Sequence, residues 1–430
     1  MTHTFDAVIV GAGVAGIATA YYLSTEHNMR NILLVDKRAP MTFTSDKSGS
    51  NYRNWWPNPA MVRLANRSIS LMDDIAAQRG NFFNMNRRGY AYISGERDIA
   101  GWLARYEDEG IGAIRTHTAE HSDYPNNAPD GADVLLGNDY IRGHMPFVSE
   151  QMQSVVHVRR AGWLSTRVLF QHMLDAATQR GLAEVRGEVT SLKSTASGIT
   201  EVAIETVHGQ MHIETPHLVL AAGPFVQQFA QMLGFELPLY NVLHQKIMLR
   251  DVNRIVPDGM PFMIFRDSPS AAWTDNERAF LQSHAGVGTL PGNFHIKAVN
   301  DGWIIAGWAF NRQQSDPDND PALDAMFAKV VLKGLAGFIP ELRNYTERPP
   351  LPILNSGGYY TRTVDNMPII GETPQDGVYM IGGLSGFGVM VACGAGALLA
   401  EGIASGEVAP DFALERYAAG VTVVGESGEL

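Results

Sequence analysis

The residues with the clearest chemical potential are three glycines and an aspartate near the start of the chain. Gly11, Gly13 and Gly16 follow an apolar stretch and open a helical pattern, and Asp36 ends a second apolar stretch 20 residues beyond Gly16. Such glycines permit a tight turn, close approach of a pyrophosphate and close helix–strand packing. The helix N-terminus offers N–H groups to phosphates, and the carboxylate accepts hydrogen bonds from a ribose. The pattern predicts a dinucleotide site unsuited to a 2′-phosphate, and it leaves FAD and NAD open.

A second glycine-rich turn lies near the end of the sequence. The apolar segment 377–383 is followed by Leu384-Ser385-Gly386-Phe387-Gly388 and by a small-residue helix predicted from Val389 to about Ala404. A helix N-terminus at such a turn directs partial positive charge at whatever covers it. The glycines favour a flat ligand against the backbone, and a tightly packed crossover between strands is the alternative.

Composition limits the class of protein. The 430 residues suffice for two domains, and the formal net charge of −12 without a basic block argues against nucleic acid or an anionic membrane surface as partner. The single cysteine, Cys393, excludes a disulfide framework or a cysteine-based metal site within one chain, and no metal site is predicted. No secretory signal and no uncharged apolar run of about 18 residues is read from the sequence, so we expect a cytoplasmic enzyme without a membrane partner.

Periodicity locates the elements that must position these residues. Helices are predicted at 60–79, 95–109, 165–181 and 322–338. Strands are predicted at 184–192, 200–206, 212–214 and 218–224, and the region 239–310 is rich in β-branched and aromatic residues typical of strands.

These pieces, in this order, resemble the D-amino-acid oxidase superfamily of FAD enzymes, which includes glycine oxidase, monomeric sarcosine oxidase and dimethylglycine dehydrogenase. Segments 218–224, 358–371 and 377–394 match the more specific motifs of that family. The resemblance implies an α/β fold in which a Rossmann-like FAD-binding domain is interleaved with an α+β substrate domain on a mostly antiparallel sheet. We expect residues 1–60, 150–236 and 356–430 in the first domain, and 61–149 and 237–355 in the second.

The resemblance also implies which residues bind FAD. The ADP half is assigned to the first turn and the acid at the end of the second strand, with backbone from Val189 on adenine, and the flavin ring to the C-terminal turn. Ser50 and Arg53 fall in the loop that passes the flavin in relatives. The full predicted set is Gly11, Gly13, Ala15, Gly16, Asp36, Lys37, Ser50, Arg53, Val189, Ala222, Gly223, Gly383, Gly386, Phe387, Gly388, Val389 and Met390.

The sequence departs from its relatives where they attach flavin or bind a carboxylate. Gly358 stands where monomeric sarcosine oxidase has its flavin-linking cysteine, and no histidine lies between residues 40 and 60 as a dimethylglycine-type tether. We therefore predict FAD bound without a covalent link. Tyr360 replaces an arginine and Met390 replaces a lysine of the relatives. Either the substrate carboxylate is bound by other residues, or the substrate is not a simple amino acid.

Four residues are candidates for contact with substrate or for catalysis. Tyr360 matches a tyrosine lining the sarcosine oxidase pocket, and Arg362 is the nearest cation for a carboxylate or the flavin. Lys297 aligns with a lysine that helps activate oxygen, and His244 with a histidine of the dimethylglycine and sarcosine dehydrogenases. The alternatives are a packed phenol, an exposed ion pair, a surface lysine and a hydrogen-bonded histidine in a sheet.

The predicted function is FAD-dependent oxidation of the C–N bond of a primary or secondary amine, an amino acid derivative, to an imine by hydride transfer to flavin. The electron acceptor is oxygen or another molecule, and an oligomer is left open. One alternative keeps the fold but oxidises a 2-hydroxy acid. Another is an FAD-binding subunit of a larger complex.

Overall fold

The computed structural model describes residues 2–106, 108–125, 127–195, 198–406 and 409–417, and within them the chain is built on two large β-sheets and one small one. The first large sheet has nine strands in the spatial order β1-β12-β11-β10-β3-β2-β13-β20-β19. These are Thr2–Thr4 (β1), Ala7–Val10 (β2), Ile32–Asp36 (β3), Ala183–Ser194 (β10), Thr200–Thr206 (β11), Gly209–Thr215 (β12), Leu218–Leu220 (β13), Ile369–Glu372 (β19) and Val378–Gly382 (β20).

The centre of this sheet is parallel and covered on both faces. Strands β10, β3, β2, β13 and β20 pair in parallel. All four residues of β2 are buried, as are the first four of β3. Continuous apolar runs are expected of parallel strands that are buried on both faces. Their carboxyl ends meet at one edge, so the turns after β2 and β3 lie side by side.

Small residues let three helices pack closely over this sheet. Helix Gly388–Ser405 (α10) crosses Val14–Thr25 (α1) and Pro59–Arg79 (α2). A Cβ on Gly396 would lie 2.6 Å from Cβ of Ala18, and one on Gly394 would lie 2.8 Å from the carbonyl oxygen of Leu64. Helix α10 is long and apolar enough to cross a membrane, contrary to the expectation from sequence, because residues 378–400 carry no charge. However, 67% of it is buried inside the protein, as in a core helix.

The second large sheet is mostly antiparallel, with the order β18-β14-β17-β16-β15-β5-β8-β7-β6. Only β15–β5 and β6–β7 pair in parallel. Its strands are Tyr90–Ser94 (β5), Ile114–His117 (β6), Ala132–Leu136 (β7), Ser154–Val158 (β8), Tyr240–Arg250 (β14), Phe262–Phe265 (β15), Phe294–Val299 (β16), Trp303–Trp308 (β17) and Leu354–Arg362 (β18). The small sheet pairs Asn51–Arg53 (β4) with Ala161–Trp163 (β9).

The remaining α-helices connect or cover the sheets. They are Ala100–Leu103 (α3), Asn138–His144 (α4), Thr166–Thr178 (α5), Val226–Met232 (α6), Asp275–Ala285 (α7), Met326–Leu335 (α8) and Arg343–Glu347 (α9). The helix predicted at 95–109 is wrong over most of its length. Among the described residues of this range, α3 and short 3₁₀ turns form instead, and Trp102 and Tyr106 pack on Trp55, with Tyr106 stacked on it at 4.7 Å between ring centroids.

The two-domain organisation predicted above has its counterpart in the two large sheets, while the domain boundaries stay a prediction. Strands β8 and β18 fall in ranges predicted for the FAD-binding domain but pair in the second sheet. Residues 418–430 of the last predicted range lie outside the described residues.

Candidate active site

A long cavity runs from the carboxyl ends of β2 and β3 to one face of the second sheet. Its empty volume is about 2360 Å³, including its open mouth. Every predicted site residue lines it except Gly16 and Ser50. The structure therefore brings together residues that lie up to about 380 positions apart in the sequence.

Two of the three glycines in the first turn have no room for a side chain. Gly11 has φ +115°, and a Cβ there would lie 2.4 Å from the carbonyl oxygen of Ala221. A Cβ on Gly16 would lie 1.9 Å from the carbonyl oxygen of Gly11. Gly16 therefore packs against the backbone of the turn and does not line the cavity. A Cβ on Gly13 would meet only Oγ of Ser45, at 3.0 Å, and this surface stays open to a ligand.

Asp36 is fixed at the end of β3 beside this turn. Its Oδ2 accepts a hydrogen bond from N–H of Ala12 at 2.9 Å, and its Oδ1 accepts one from N–H of Arg38 at 2.8 Å. Next to it, Lys37 pairs with Glu188 at 3.3 Å, and Val189 continues the wall along β10. Ala222 and Gly223 close the opposite side after β13. This end has the carboxylate and backbone surface that an adenosine requires.

The C-terminal turn forms the wall at the other end. Gly383 has φ +66°, and N–H of Ser385 donates to the carbonyl oxygen of Thr361 at 2.9 Å. Helix α10 begins at Gly388 without a side-chain cap, and Gly388, Val389 and Met390 line the cavity. The first N–H groups of such a helix have no partner within the helix, so this wall can stabilise negative charge on a bound ring.

Several buried polar atoms along the cavity wall have no hydrogen-bond partner within the described residues. They are Oγ1 of Thr44, Nε1 of Trp56, both ring nitrogens of His244, Nε of Arg362 and Oδ1 of Asn366. Buried polar groups are nearly always paired, and a polar ligand in the cavity is one partner that would satisfy them. Together with the open surface at Gly13 and the fixed Asp36, these atoms fit an extended dinucleotide with a polar ring system.

Three strands of the second sheet turn chemically active side chains to the cavity. Residues two apart on a strand face the same side. His244 and Lys246 of β14, His295 and Lys297 of β16, and Tyr360 and Arg362 of β18 all line the cavity.

Lys297 is a buried lysine rather than a surface one. Its side chain is 2% exposed, and its Nζ donates to the carbonyl oxygen of Gly49 at 2.7 Å and to Oδ1 of Asn51 at 2.6 Å. Nζ also lies 4.8 Å from the ring centroid of Trp163. Burial, and then the charge of Lys246, hold the pKa of Lys297 well below its usual range.

His244, Tyr360 and Arg362 form one cluster. The His244 and Tyr360 rings lie 4.2 Å apart between centroids, and Cζ of Arg362 lies 5.6 Å from the Tyr360 ring. Tyr360 also covers Gly386, where a Cβ would lie 2.5 Å from Cε2 of the tyrosine. Burial, and then the charge of Arg362, hold the pKa of His244 well below its usual range, so its imidazole is neutral.

Ser50 and Arg53 have different surroundings. Ser50 has φ +59°, and its carbonyl oxygen accepts from N–H of Leu164 at 3.0 Å, so it shapes the loop. Arg53 is buried, its Nε donates to the carbonyl oxygen of Trp55, and Cζ lies 4.6 Å from the Trp56 ring. Phe387 meets Trp56 edge-on at 5.0 Å. Arg53 therefore lines the cavity from within an aromatic enclosure that excludes water.

Sequence reasoning missed Lys246 and His295 as lining residues. The signal was present in the two-residue spacing of His244 with Lys246 and of His295 with Lys297. Burial lowers the pKa of Lys246 to about 8 and that of His295 to about 4. Among the described residues, no group of three or more His, Cys, Asp or Glu side chains is placed to hold a metal ion.

Comparisons with known proteins show the family to which the sequence is similar. The family of FAD dependent oxidoreductases matches residues 6–402. Mitochondrial dimethylglycine dehydrogenase of Homo sapiens is 23% identical over 95% of this chain, which spans 43% of that protein's length. Sarcosine oxidase subunit beta of Rhizobium meliloti is 24% identical, with 99% of this chain and 91% of that protein covered.

A comparison of structures agrees on the fold. Glycine oxidase from Geobacillus kaustophilus superposes with a TM-score of 0.72 at 18% identity, covering 97% of this chain and all (100%) of that one. Residues for the cofactor of this family are thus present in a matching fold, and its predicted identity, FAD, is confirmed. The chain belongs to the family of FAD dependent oxidoreductases and is a flavoenzyme of the amino-acid and amine oxidase type.

Proposed function

We propose that the protein oxidises the C–N bond of an amine that bears a carboxylate, an amino acid derivative, to an imine. The observation that supports this most strongly is the charge of the cavity. Its only acidic lining residues among those described, Asp36 and Glu188, lie at the adenosine end. Lys37 and Arg38 also line that end, whereas the other end has no acidic lining residue among those described and presents the cations Lys47, Arg53, Lys246, Lys297 and Arg362. A cationic pocket of this kind suits an anionic substrate.

The same charges favour the reactive form of an amine. Oxidation requires an unprotonated nitrogen, and nearby cations lower the pKa of an ammonium group. No carboxylate among the described residues of this end would hold the nitrogen protonated. The neutral His244 imidazole can accept a hydrogen bond from the substrate N–H, since both of its ring nitrogens lack partners.

The proposed reaction is oxidation of the amine to an imine, followed by hydrolysis of the imine. The substrate C–H bond breaks with its electron pair, the nitrogen lone pair forms C=N, and water then hydrolyses the imine to a carbonyl compound and an amine. FAD, when bound, supplies the acceptor for that hydride. The chain contributes placement and a water-poor pocket, through Arg362 and Tyr360 on one side and the Trp56–Phe387 pair on the other.

Lys297 is proposed to assist reoxidation. In its protonated form Lys297 would stabilise negative charge that develops on oxygen as it accepts electrons. Its anchors at Gly49 and Asn51 fix the ammonium group at the cavity wall. If a partner protein accepts the electrons instead of oxygen, no such cation is needed. A Lys297→Met variant distinguishes these two acceptors by the rate at which the reduced enzyme reacts with oxygen.

A second candidate is an FAD-binding subunit of a complex. It is favoured by the similarity to a sarcosine oxidase subunit beta and by the 43% share of human dimethylglycine dehydrogenase that the chain spans. The test is product analysis of the purified chain in air with N-methyl amino acids, amino acids and 2-hydroxy acids. Release of ammonia or methylamine supports amine oxidation. A keto acid formed from a 2-hydroxy acid without amine release contradicts it, and bound FAD without turnover of any substrate favours the subunit.

A further inference from the structure

We propose that the substrate carries a second anionic group besides its amino-acid carboxylate, and that Lys246, beside His295, holds this group. The inference rests on the proposed function, since it names the substrate class of the same cavity. The class is an amine with two carboxylates, such as an N-alkylated acidic amino acid.

The position of Lys246 follows from the register of the second sheet. Lys246 of β14 is opposite Gly307 of β17, and Gly307 is opposite His295 of β16. These three residues form one row across the sheet. A Cβ on Gly307 would lie 2.4 Å from Nε2 of His295, so the imidazole covers the glycine and turns toward the lysine strand. This row places the Lys246 ammonium group on one side of Gly307 and the His295 imidazole, which can form hydrogen bonds, on the other.

The charge at this end of the cavity exceeds what one carboxylate can balance. Arg53 and Arg362 are permanent cations, and Lys246 keeps its proton at pH 7 because its pKa, lowered by burial, is still about 8. Arg53 belongs to the loop assigned to the flavin, so Arg362 and Lys246 leave two positive charges for the substrate. A substrate with one carboxylate would match one of them.

The acid nearest Lys246 is already paired with other cations. Within the described residues, none of Lys246, Lys297, Arg53 and Arg362 forms an ion pair. Asp46 is the acid whose charge raises the pKa of Lys246. It pairs with Arg167 at 2.5 Å and with Lys47 at 3.5 Å. Lys246 donates only to the carbonyl oxygen of Ser48, at 2.6 Å, which leaves two of its N–H donors for a ligand. Buried charges are normally paired, so the missing partner is assigned to the substrate.

The spacing of the cations sets the shape of the substrate. Arg362 is opposite Tyr240 on β14, six residues from Lys246, which corresponds to roughly 20 Å along an antiparallel strand. Both side chains are long and line the cavity. His244 lies between them and is 7% exposed with both ring nitrogens unpartnered. A carboxylate at each end and the amine near His244 match this order of groups.

The test compares two ligands that cannot be oxidised, glutarate and butyrate, which differ by one carboxylate. Each is titrated into the FAD-loaded enzyme, and binding is read from the flavin absorbance difference. We expect glutarate to bind at least about tenfold more tightly, the effect of one charge-assisted hydrogen bond. Lys246→Gln should lower that preference about tenfold, Lys246→Arg should retain it, and the exposed Lys193→Gln should leave it unchanged.

Equal affinity for glutarate and butyrate would overturn the inference, as would a preference that survives Lys246→Gln. Reduction of the flavin by N-methylglutamate and by sarcosine is scored separately. Faster reduction by N-methylglutamate supports the second anionic group. No reduction by either amine counts against the proposed function alone, because the glutarate comparison measures binding without chemistry.

Discussion

Replacing Gly13 by alanine separates cofactor binding from folding. The backbone of Gly13 has φ −85° and ψ −173°, which any residue adopts. The added Cβ would meet only Oγ of Ser45 at 3.0 Å, so at most the hydrogen bond that this Oγ accepts from N–H of Val14 would be weakened. We therefore expect the apoprotein of Gly13→Ala to fold and melt like the wild type. The methyl group would project from the turn onto which a pyrophosphate must close, so FAD binding should suffer.

The size of the loss follows from the contacts displaced. If the methyl group displaces a single backbone N–H bond to a phosphate, the loss is about 1.5–3 kcal/mol, or roughly 10- to 150-fold in Kd. Isothermal titration of apoprotein with FAD measures this. Gly143→Ala is the control for the substitution itself, because Gly143 lies in α4 and its Cβ would meet nothing within 4 Å.

Gly16→Ala gives the contrasting outcome. Its Cβ would lie 1.9 Å from the backbone oxygen of Gly11, which cannot move aside, so the melting temperature of the apoprotein should fall. Wild-type FAD affinity in Gly13→Ala, or an equal loss in Gly143→Ala, would refute the assignment of this turn to the pyrophosphate.

Three further predictions follow from the site and the core. Arg362→Met should raise KM for a carboxylate-bearing amine about tenfold with a smaller change in kcat; an unchanged KM in steady-state assays would exclude Arg362 as the anchor. Acid precipitation should release all flavin into the supernatant, and a yellow pellet would contradict non-covalent binding. Burial lowers the pKa of His157 and His295 to about 4, below the unfolded value near 6.5. The unfolded state thus gains protons first, so their contribution to stability is complete above pH 6.5 and is lost as pH falls toward 4. Urea unfolding should show this slope, and it should be shallower in His157→Gln.

The sequence was most informative where structure is local. The turn at Gly11–Gly16 and the acid at Asp36 could be predicted because strand, turn and helix are consecutive. Gly11 and Gly16 each have a steric reason visible in the fold. The helix predicted at 95–109 failed because its periodic apolar residues, Trp102 and Tyr106, are held by contacts with Trp55, about 50 positions away. Tertiary packing there overrides the local pattern.

The substrate end of the site was harder to predict. His244 and Lys297 were proposed from resemblance, but Lys246 and His295 become neighbours only through the register of β14, β17 and β16. Strand register is not legible from one sequence when several strands are apolar on both faces. The missing counter-charges are likewise a property of the assembled cavity.

The central claim, that this flavoenzyme oxidises amines bearing carboxylates, is tested most directly by an anaerobic absorbance titration. The purified enzyme with bound FAD is titrated with separate pools of N-methyl amino acids, D- and L-amino acids, and 2-hydroxy acids, and air is then admitted. We predict bleaching of the flavin by an amine pool and recovery of its colour in air. Bleaching by the hydroxy acids alone, or by no amine pool while FAD remains bound and oxidised, would contradict the claim.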